Sequence, residues 1–252
     1  MKKPQVSLEN ETAVYDYFTD KEPSSRLMRP LHRLAAGVYR PDTVFAKGAE
    51  EAIARHIDSG RPIVMAANHL SMHDPLVLAS MVQREKAFRP LIGRTLILSK
   101  PSLFNVPLVG RIVSNGGAIP VFRPEDIKSA EADEAVRRRE TSAKAIGIAV
   151  AKLEQGFSIV LFPEGTRNKE DETRIQSLRP GIGRIACSAS NRKNVLVVCT
   201  ATAYGSEDKP SVFSPTIAVG YPLDVAREPE GMVEVVGESL QECLDAALDR
   251  AA

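Results

Sequence analysis

The chain has almost no excess of charge: 33 Lys and Arg stand against 32 Asp and Glu, a formal net charge of +1. No global field therefore draws it toward nucleic acid. Cysteine is scarce. Cys187, Cys199 and Cys243 are scattered, odd in number and without metal or redox spacing, which argues against a disulfide framework and for reduced, structural thiols in a cytosolic setting. Long apolar runs are missing, so no transmembrane helix is expected. The basic start, Met1-Lys2-Lys3-Pro4, has no apolar core behind it and does not read as a secretory signal. Internal repeats and low-complexity segments are also absent. What remains is a 252-residue chain with 43% hydrophobic residues, enough for one large domain or two small ones with a real core.

Residues 1–23 are polar and are expected to be poorly ordered in part. Residues 24–40 read as an amphipathic helix. Leu27, Met28, Leu31, Leu34, Ala35 and Val38 share one side at helical spacing, and Arg26, Arg29, Arg33 and Arg40 fall opposite, with Pro30 as a start or a kink. Between residues 21 and 40 there are five Lys and Arg and one acid, Glu22, which suits a helix lying on anionic lipid. A short helix is expected over 50–56. Beyond it, strand patterns at 62–67, 95–98, 117–122, 157–162, 195–203 and 216–220 alternate with helical patterns at 75–83, 126–154, 181–190 and 232–249. That alternation predicts an α/β fold in which a largely parallel or mixed central sheet is flanked by helices. The expected division is a helical, membrane-docking segment over 1–60 and one α/β domain over 61–252.

In such sheets ligands sit beyond the carboxyl ends of the strands. Three segments fall there: Asn68-His69-Leu70-Ser71-Met72-His73-Asp74, Arg123, and Pro163-Glu164-Gly165-Thr166-Arg167. A histidine in a strand-to-helix loop with a carboxylate five residues on can be held as an oriented proton acceptor, which makes His69 and Asp74 the candidate catalytic pair. Asp74 followed by Pro75 also reads as a helix N-cap, with one oxygen capping and the other holding His69. His73 is the rival base, and His69, His73 and Asp74 together are the rival zinc site, but no further ligand cluster supports a metal. Ser71 lacks a nucleophile elbow and, like Asn68, is read as loop support. Arg123 and Arg167, each just past a strand, suit bidentate capture of a phosphate. Gly165 lets the backbone pass close to a ligand, and Lys100 is a further cation near a strand end.

Asn68 to Asp74 resembles the NHxSxxD block of the glycerolipid acyltransferases, the lysophosphatidic acid acyltransferase group. Gly117-Ala118-Ile119-Pro120-Val121-Phe122-Arg123 is similar to their second block, and Phe162-Pro163-Glu164-Gly165-Thr166-Arg167 to their FPEGTR block. Leu178-Arg179-Pro180-Gly181 resembles the stretch that follows, and the order and spacing agree over residues 60–205. One departure is Val197-Val198-Cys199-Thr200, which lacks the proline usual in the fourth block, a strand that shapes the substrate pocket. The resemblance implies a glycerol-3-phosphate acyltransferase-like fold. It also implies transfer of a fatty acyl group from acyl-CoA or acyl-carrier protein to the free hydroxyl of a lysophosphatidic acid, in phospholipid synthesis. His69 would act as general base steadied by Asp74, with no acyl-enzyme and no metal or redox cofactor. Backbone N–H groups near the 68–74 loop would stabilise the oxyanion. Arg123 and Arg167 would hold the acceptor phosphate, Glu164 would orient an arginine or touch the acceptor, and Gly165, Thr166 and Lys100 would complete the substrate site. The partners implied are a lysophospholipid, the acyl donor and a membrane surface, with no nucleic acid. The place implied is the cytoplasm, peripherally on the inner face of the membrane. Other acceptors (glycerol 3-phosphate, a glycolipid, an amino-acid lipid) and a non-catalytic lipid-binding protein are the alternatives.

Overall fold

The computed structural model of the chain describes residues 3–122, 132–190, 194–205 and 211–252. Helices α1 (Glu11–Asp20) and α2 (Ser25–Val38) lead into strand β1 (Asp42–Phe45) and helix α3 (Ala49–Asp58). Strand β2 (Ile63–Ala67), helix α4 (Asp74–Arg84), strand β3 (Thr95–Ser99), helix α5 (Val109–Asn115) and strand β4 (Ala118–Pro120) follow. Helix α6 (Ala132–Glu154), strand β5 (Ser158–Leu161), helix α7 (Gly181–Ser190), strands β6 (Leu196–Ala203) and β7 (Thr216–Val219) and helix α8 (Pro229–Ala251) complete the chain.

The strands form one sheet in the order β1-β7-β6-β2-β5-β3-β4. Strands β6, β2, β5, β3 and β4 are parallel, β7 runs antiparallel to β6, and β1 is parallel to β7. The expected α/β class with a largely parallel or mixed sheet is what the chain forms. Its central strands are buried on both faces, so they read as continuous apolar runs. Val64 and Ala66 of β2 join Ile159, Leu161, Val197 and Cys199 beneath α1, α6, α7 and α8. Ile63, Met65 and Ala67 point the other way, toward Ile53, Val77 and Met81 of α3 and α4. The same period-two alternation therefore fills two separate half-cores.

The first 60 residues are built into this layout. Strand β1 is the outer strand of the sheet, in register from Asp42 opposite Thr216 to Phe45 opposite Val219, so the sheet crosses the division expected at residue 60. Residues 1–23 also depart from expectation: within the described part, Val6, Val14, Tyr15 and Phe18 are buried. Tyr15 packs edge-on against Phe122, and Phe18 against Phe104. The expected helix over 24–40 forms as α2 and continues through Pro30, but its buried side is rotated. His32 and Ala35 are the buried residues and face α4, while Leu34 and Val38 project into solvent. The helix expected over 126–154 is seen from Ala132, and its earlier part lies outside the described residues. Strand β1 and helix α5 were not expected; both are short and polar at one end. No described helix is long and apolar enough to cross a membrane.

Two buried histidines make stability pH-dependent. Burial among apolar neighbours pushes His32 and His56 below the ordinary value of 6.5, against the opposing effect of hydrogen bonds to the carbonyls of Ala79 and Pro62. The folded protein then binds fewer protons than the unfolded chain as pH falls through that value, so their contribution is full above it and is lost on acidification. Urea denaturation at a series of pH values is expected to show stability falling below about pH 6.5, with a shallower fall in His32→Leu.

Candidate active site

Strand β2 ends at Ala67, and the next residue continues its pairing by side chain. The Asn68 amide donates to the Thr202 carbonyl at 3.0 Å and accepts the Thr202 N–H at 2.8 Å, which extends the link to β6 by one step. From there the loop wraps around the carboxylate of Asp74, which is 1% exposed. Its Oδ2 accepts the Leu70 N–H at 2.9 Å, the Ser71 N–H at 2.9 Å and the His69 Nδ1–H at 2.7 Å. Its Oδ1 accepts the Tyr204 hydroxyl from the end of β6. The N-cap expectation is thereby corrected. His73 occupies the cap position, Asp74 is the first helical residue, and neither oxygen caps α4. The loop's own N–H groups and the imidazole claim the carboxylate first.

With Nδ1–H given to Asp74, the lone pair of the His69 ring sits on Nε2. The ring lies on Phe162, centroids 4.3 Å apart at 22°, and the side chain is 21% exposed, so it is fixed in orientation yet reachable. His73 faces elsewhere: its Nδ1 shares a 2.7 Å hydrogen bond with the Tyr39 hydroxyl. Ser71 Oγ accepts the His73 N–H, which is loop support rather than nucleophilic placement.

The loop after β5 is knitted to the His69 loop in both directions. Glu164 Oε1 accepts the His69 N–H at 2.7 Å, and the His69 carbonyl accepts the Asn168 N–H at 2.7 Å. Glu164 Oε2 accepts the Gln176 N–H at 3.1 Å. With each oxygen accepting a backbone N–H and 3% of the residue exposed, Glu164 braces the two loops. Burial raises its carboxyl above the ordinary value, and the N–H donors of His69 and Gln176 oppose that rise. Backbone oxyanion donors near the 68–74 loop are likewise mostly taken. The N–H groups of Asn68, His69, Leu70, Ser71 and His73 all reach acceptors within the protein.

Because β2, β5, β3 and β4 are parallel neighbours, their carboxyl ends share one edge. His69, the 163–167 loop and Lys100 lie along it. Thr166, Arg167 and Lys100 are exposed there. At Gly165, φ is +76° and a Cβ would stand 3.1 Å from the Arg179 side chain, so glycine serves the turn and admits that arginine. Arg123 lies outside the described residues. Three residues the sequence reading passed over belong to the site: Tyr204, Phe162 as the ring under His69, and Asn168. The buried Asn168 amide donates to the carbonyls of Asp171 and Arg174 and accepts the N–H groups of Glu170 and Asp171. Phe162 and Asn168 flank the Pro163-to-Arg167 block, a signal available in the sequence; nothing local marks Tyr204.

A family model described as Acyltransferase matches residues 48–202. The chain is 29% identical over 142 residues to a 1-acyl-sn-glycerol-3-phosphate acyltransferase of Borreliella burgdorferi, covering 54% of this chain and 48% of that protein. It is 27% identical over 160 residues to a chloroplastic 1-acyl-sn-glycerol-3-phosphate acyltransferase of Arabidopsis thaliana, covering 63% of this chain and 38% of the relative. A lyso-ornithine lipid O-acyltransferase of Rhizobium meliloti is 24% identical over 170 residues, 68% of this chain and 47% of its own. The chain thus spans less than half the length of each of these relatives.

Tyr204→Phe would leave Oδ1 of a buried carboxylate without its donor. Urea unfolding is expected to show a loss of about 1–3 kcal/mol, with the Asp74→Asn, Tyr204→Phe double variant losing less than the sum of the two single changes.

Proposed function

The chain belongs to the acyltransferase family, whose model covers more than half of it, and from that premise we propose that it moves a fatty acyl group from a thioester donor to the free hydroxyl of a lysophosphatidic acid. The observation that carries this reading is the imidazole of His69, held through Nδ1 by a buried carboxylate, with Nε2 left to accept a proton. Two relatives named for 1-acyl-sn-glycerol-3-phosphate support this choice of acceptor. The match to a lyso-ornithine lipid O-acyltransferase keeps an amino-acid lipid as the second reading.

His69 Nε2 takes the proton of the acceptor hydroxyl as its oxygen attacks the thioester carbonyl carbon. The C–O bond forms, the carbonyl becomes a tetrahedral oxyanion, and Asp74 stabilises the imidazolium. Collapse breaks the C–S bond, and the imidazolium returns its proton to the departing sulfur. The balance closes with no acyl-enzyme and no metal or redox cofactor, and acyl-CoA or acyl-carrier protein is the co-substrate. Phe162 beneath the ring limits its motion, so the proton acceptor does not need to be reoriented during the reaction. Arg167, exposed on the same edge, and Arg123, next after Phe122 and the β4 strand, are assigned to the acceptor phosphate. Lys100, Gly165 and Thr166 are assigned to the surrounding substrate surface. Peripheral attachment to the inner face of a membrane is part of this reading; a lipid acceptor and the exposed Leu34 and Val38 of α2 support contact with a lipid surface.

The test is an acyl-transfer assay on a panel of lysophosphatidic acid, lyso-ornithine lipid, glycerol 3-phosphate and a lysoglycolipid, with products identified by mass spectrometry. Lysophosphatidic acid is expected to be preferred; preference for the ornithine lipid would establish the second reading, and lipid binding without product would reject transfer. His69→Ala is expected to lower turnover about 10³-fold with unchanged circular dichroism. Arg167→Ala is expected to raise KM for a phosphorylated acceptor about tenfold or more and to leave KM for the donor unchanged; equal effects on both would reject the phosphate role.

A further inference from the structure

Among the described residues, one non-glycine residue has a positive φ: Leu108, at φ 63° and ψ −56°. The Val109 N–H donates to the Pro107 carbonyl at 2.7 Å, so residues 107–109 make a γ-turn of the rare, strained hand. A bulky side chain seldom adopts this conformation. Burial does not compensate it here, because Leu108 is 70% exposed. Leu103, Val106 and Val109 of the same turn are exposed as well.

The base of this turn is rigid. Phe104 is buried edge-on against Phe18, and the Asn105 amide both donates to and accepts from the backbone of Val6. Lys3 Nζ donates to the Phe104 carbonyl at 2.7 Å. A Cβ at Gly110 would stand 2.2 Å from that carbonyl oxygen, so the chain is pressed tightly together there. The apolar tip is therefore preformed. The turn leaves the carboxyl end of β3 through the 3₁₀ segment Pro101–Asn105, on the edge that carries His69. The far end of α2 reaches the same edge, where Tyr39 bonds to His73, and just before it Leu34 and Val38 stand exposed.

The charged residues in the sequence stretches that carry both projections are of one sign. Residues 86–124 contain Lys86, Arg89, Arg94, Lys100, Arg111 and Arg123 and no Asp or Glu. Residues 26–40 contain four Arg and no acid. The acidic stretch at this edge, Glu170-Asp171-Glu172, leads instead toward α8, where Gln241 bonds to the Thr173 carbonyl. Apolar tips within acid-free basic stretches match an anionic bilayer: hydrocarbon for the leucine and valines, headgroups for the cations.

We infer that turn 103–109 is a membrane wedge. Leu108 and its apolar neighbours enter an anionic phospholipid surface, Lys100 and Arg111 face the headgroups, and the edge bearing His69 is seated where a lipid acceptor emerges. The identity of that acceptor rests on the proposed acyl transfer; the wedge does not. An acidic carrier protein is the competing occupant, but it would meet charge without needing a strained leucine at the apex.

The test is co-sedimentation of the full chain, without substrates, with phosphatidylcholine vesicles and with vesicles also containing phosphatidylglycerol. The variants are Leu108→Asn, whose new side chain tolerates positive φ, and Val235→Ser, an exposed apolar position on α8. The wild type is expected to bind the anionic vesicles. Leu108→Asn is expected to bind them about tenfold or more weakly, with unaltered circular dichroism, and Val235→Ser to match the wild type. Equal binding by Leu108→Asn and wild type, or no binding by wild type, would overturn the wedge. So would a Leu108→Asn defect confined to an acidic carrier protein. Turnover of a monomeric short-chain acceptor is expected to be the same in Leu108→Asn and wild type. Loss of vesicle binding by Leu108→Asn, with no transfer by either protein, would support the wedge and reject the acyl-transfer reading.

Discussion

The Asp74 carboxylate organises the candidate site. It is buried, and it stays in place because four donors converge on it: two backbone N–H groups, an imidazole N–H and a phenol. A buried carboxylate with fewer partners would be costly. Folding the 68–74 loop around it meets that cost and fixes the tautomer and direction of His69 together. One anion therefore determines the loop's shape and the ring's orientation. Burial and the adjacent Asp74 charge push the Tyr204 phenol well above its ordinary range, so it stays a donor.

A second layer holds the first. Glu164 and Asn168 join the loop after β5 to both backbone groups of His69. The adjacent parallel strands β2 and β5 bring these loops within reach, and a one-residue slip between the strands would separate them. The two carboxylates near the histidine differ in purpose. Asp74 bonds to the ring, and Glu164 bonds to the backbone that carries it.

The class of fold and the loops that meet in the candidate site could be read from the sequence because both rest on local patterns. Two-sided burial makes the central strands continuous apolar runs, and the Asn68-to-Asp74 and Phe162-to-Arg167 blocks fall where those runs stop. What was hidden depends on long-range pairing. Strand β1 has four residues and exists because β7 turns back beside β6, which no local pattern signals. Tyr204 reaches Asp74 across 130 positions. The docking of α1 rests on Val14, Tyr15 and Phe18, too few apolar residues to stand out in a polar stretch. The buried side of α2 departs from its apolar periodicity because a histidine lies inside and two aliphatic residues lie outside. The N–H groups that Glu164 serves are likewise visible only in the fold, because they lie on His69 and Gln176, far apart in sequence.

The passage from α1 to α2 has a consequence of its own. Helix α1 packs on α6 at one face of the sheet and α2 on α4 at the other, and the link between them rounds the β4 margin. Pro23 is pressed there against Gly117, and the Ser24 N–H bonds to the Asn115 carbonyl. The chain is thus a clasp across the sheet's thickness. It covers the approach to the outer strand β4 at Asn115 and Gly117, where a sheet margin is open to a neighbouring molecule. It also joins the helical layers on the two faces through only four residues, Lys21 to Ser24.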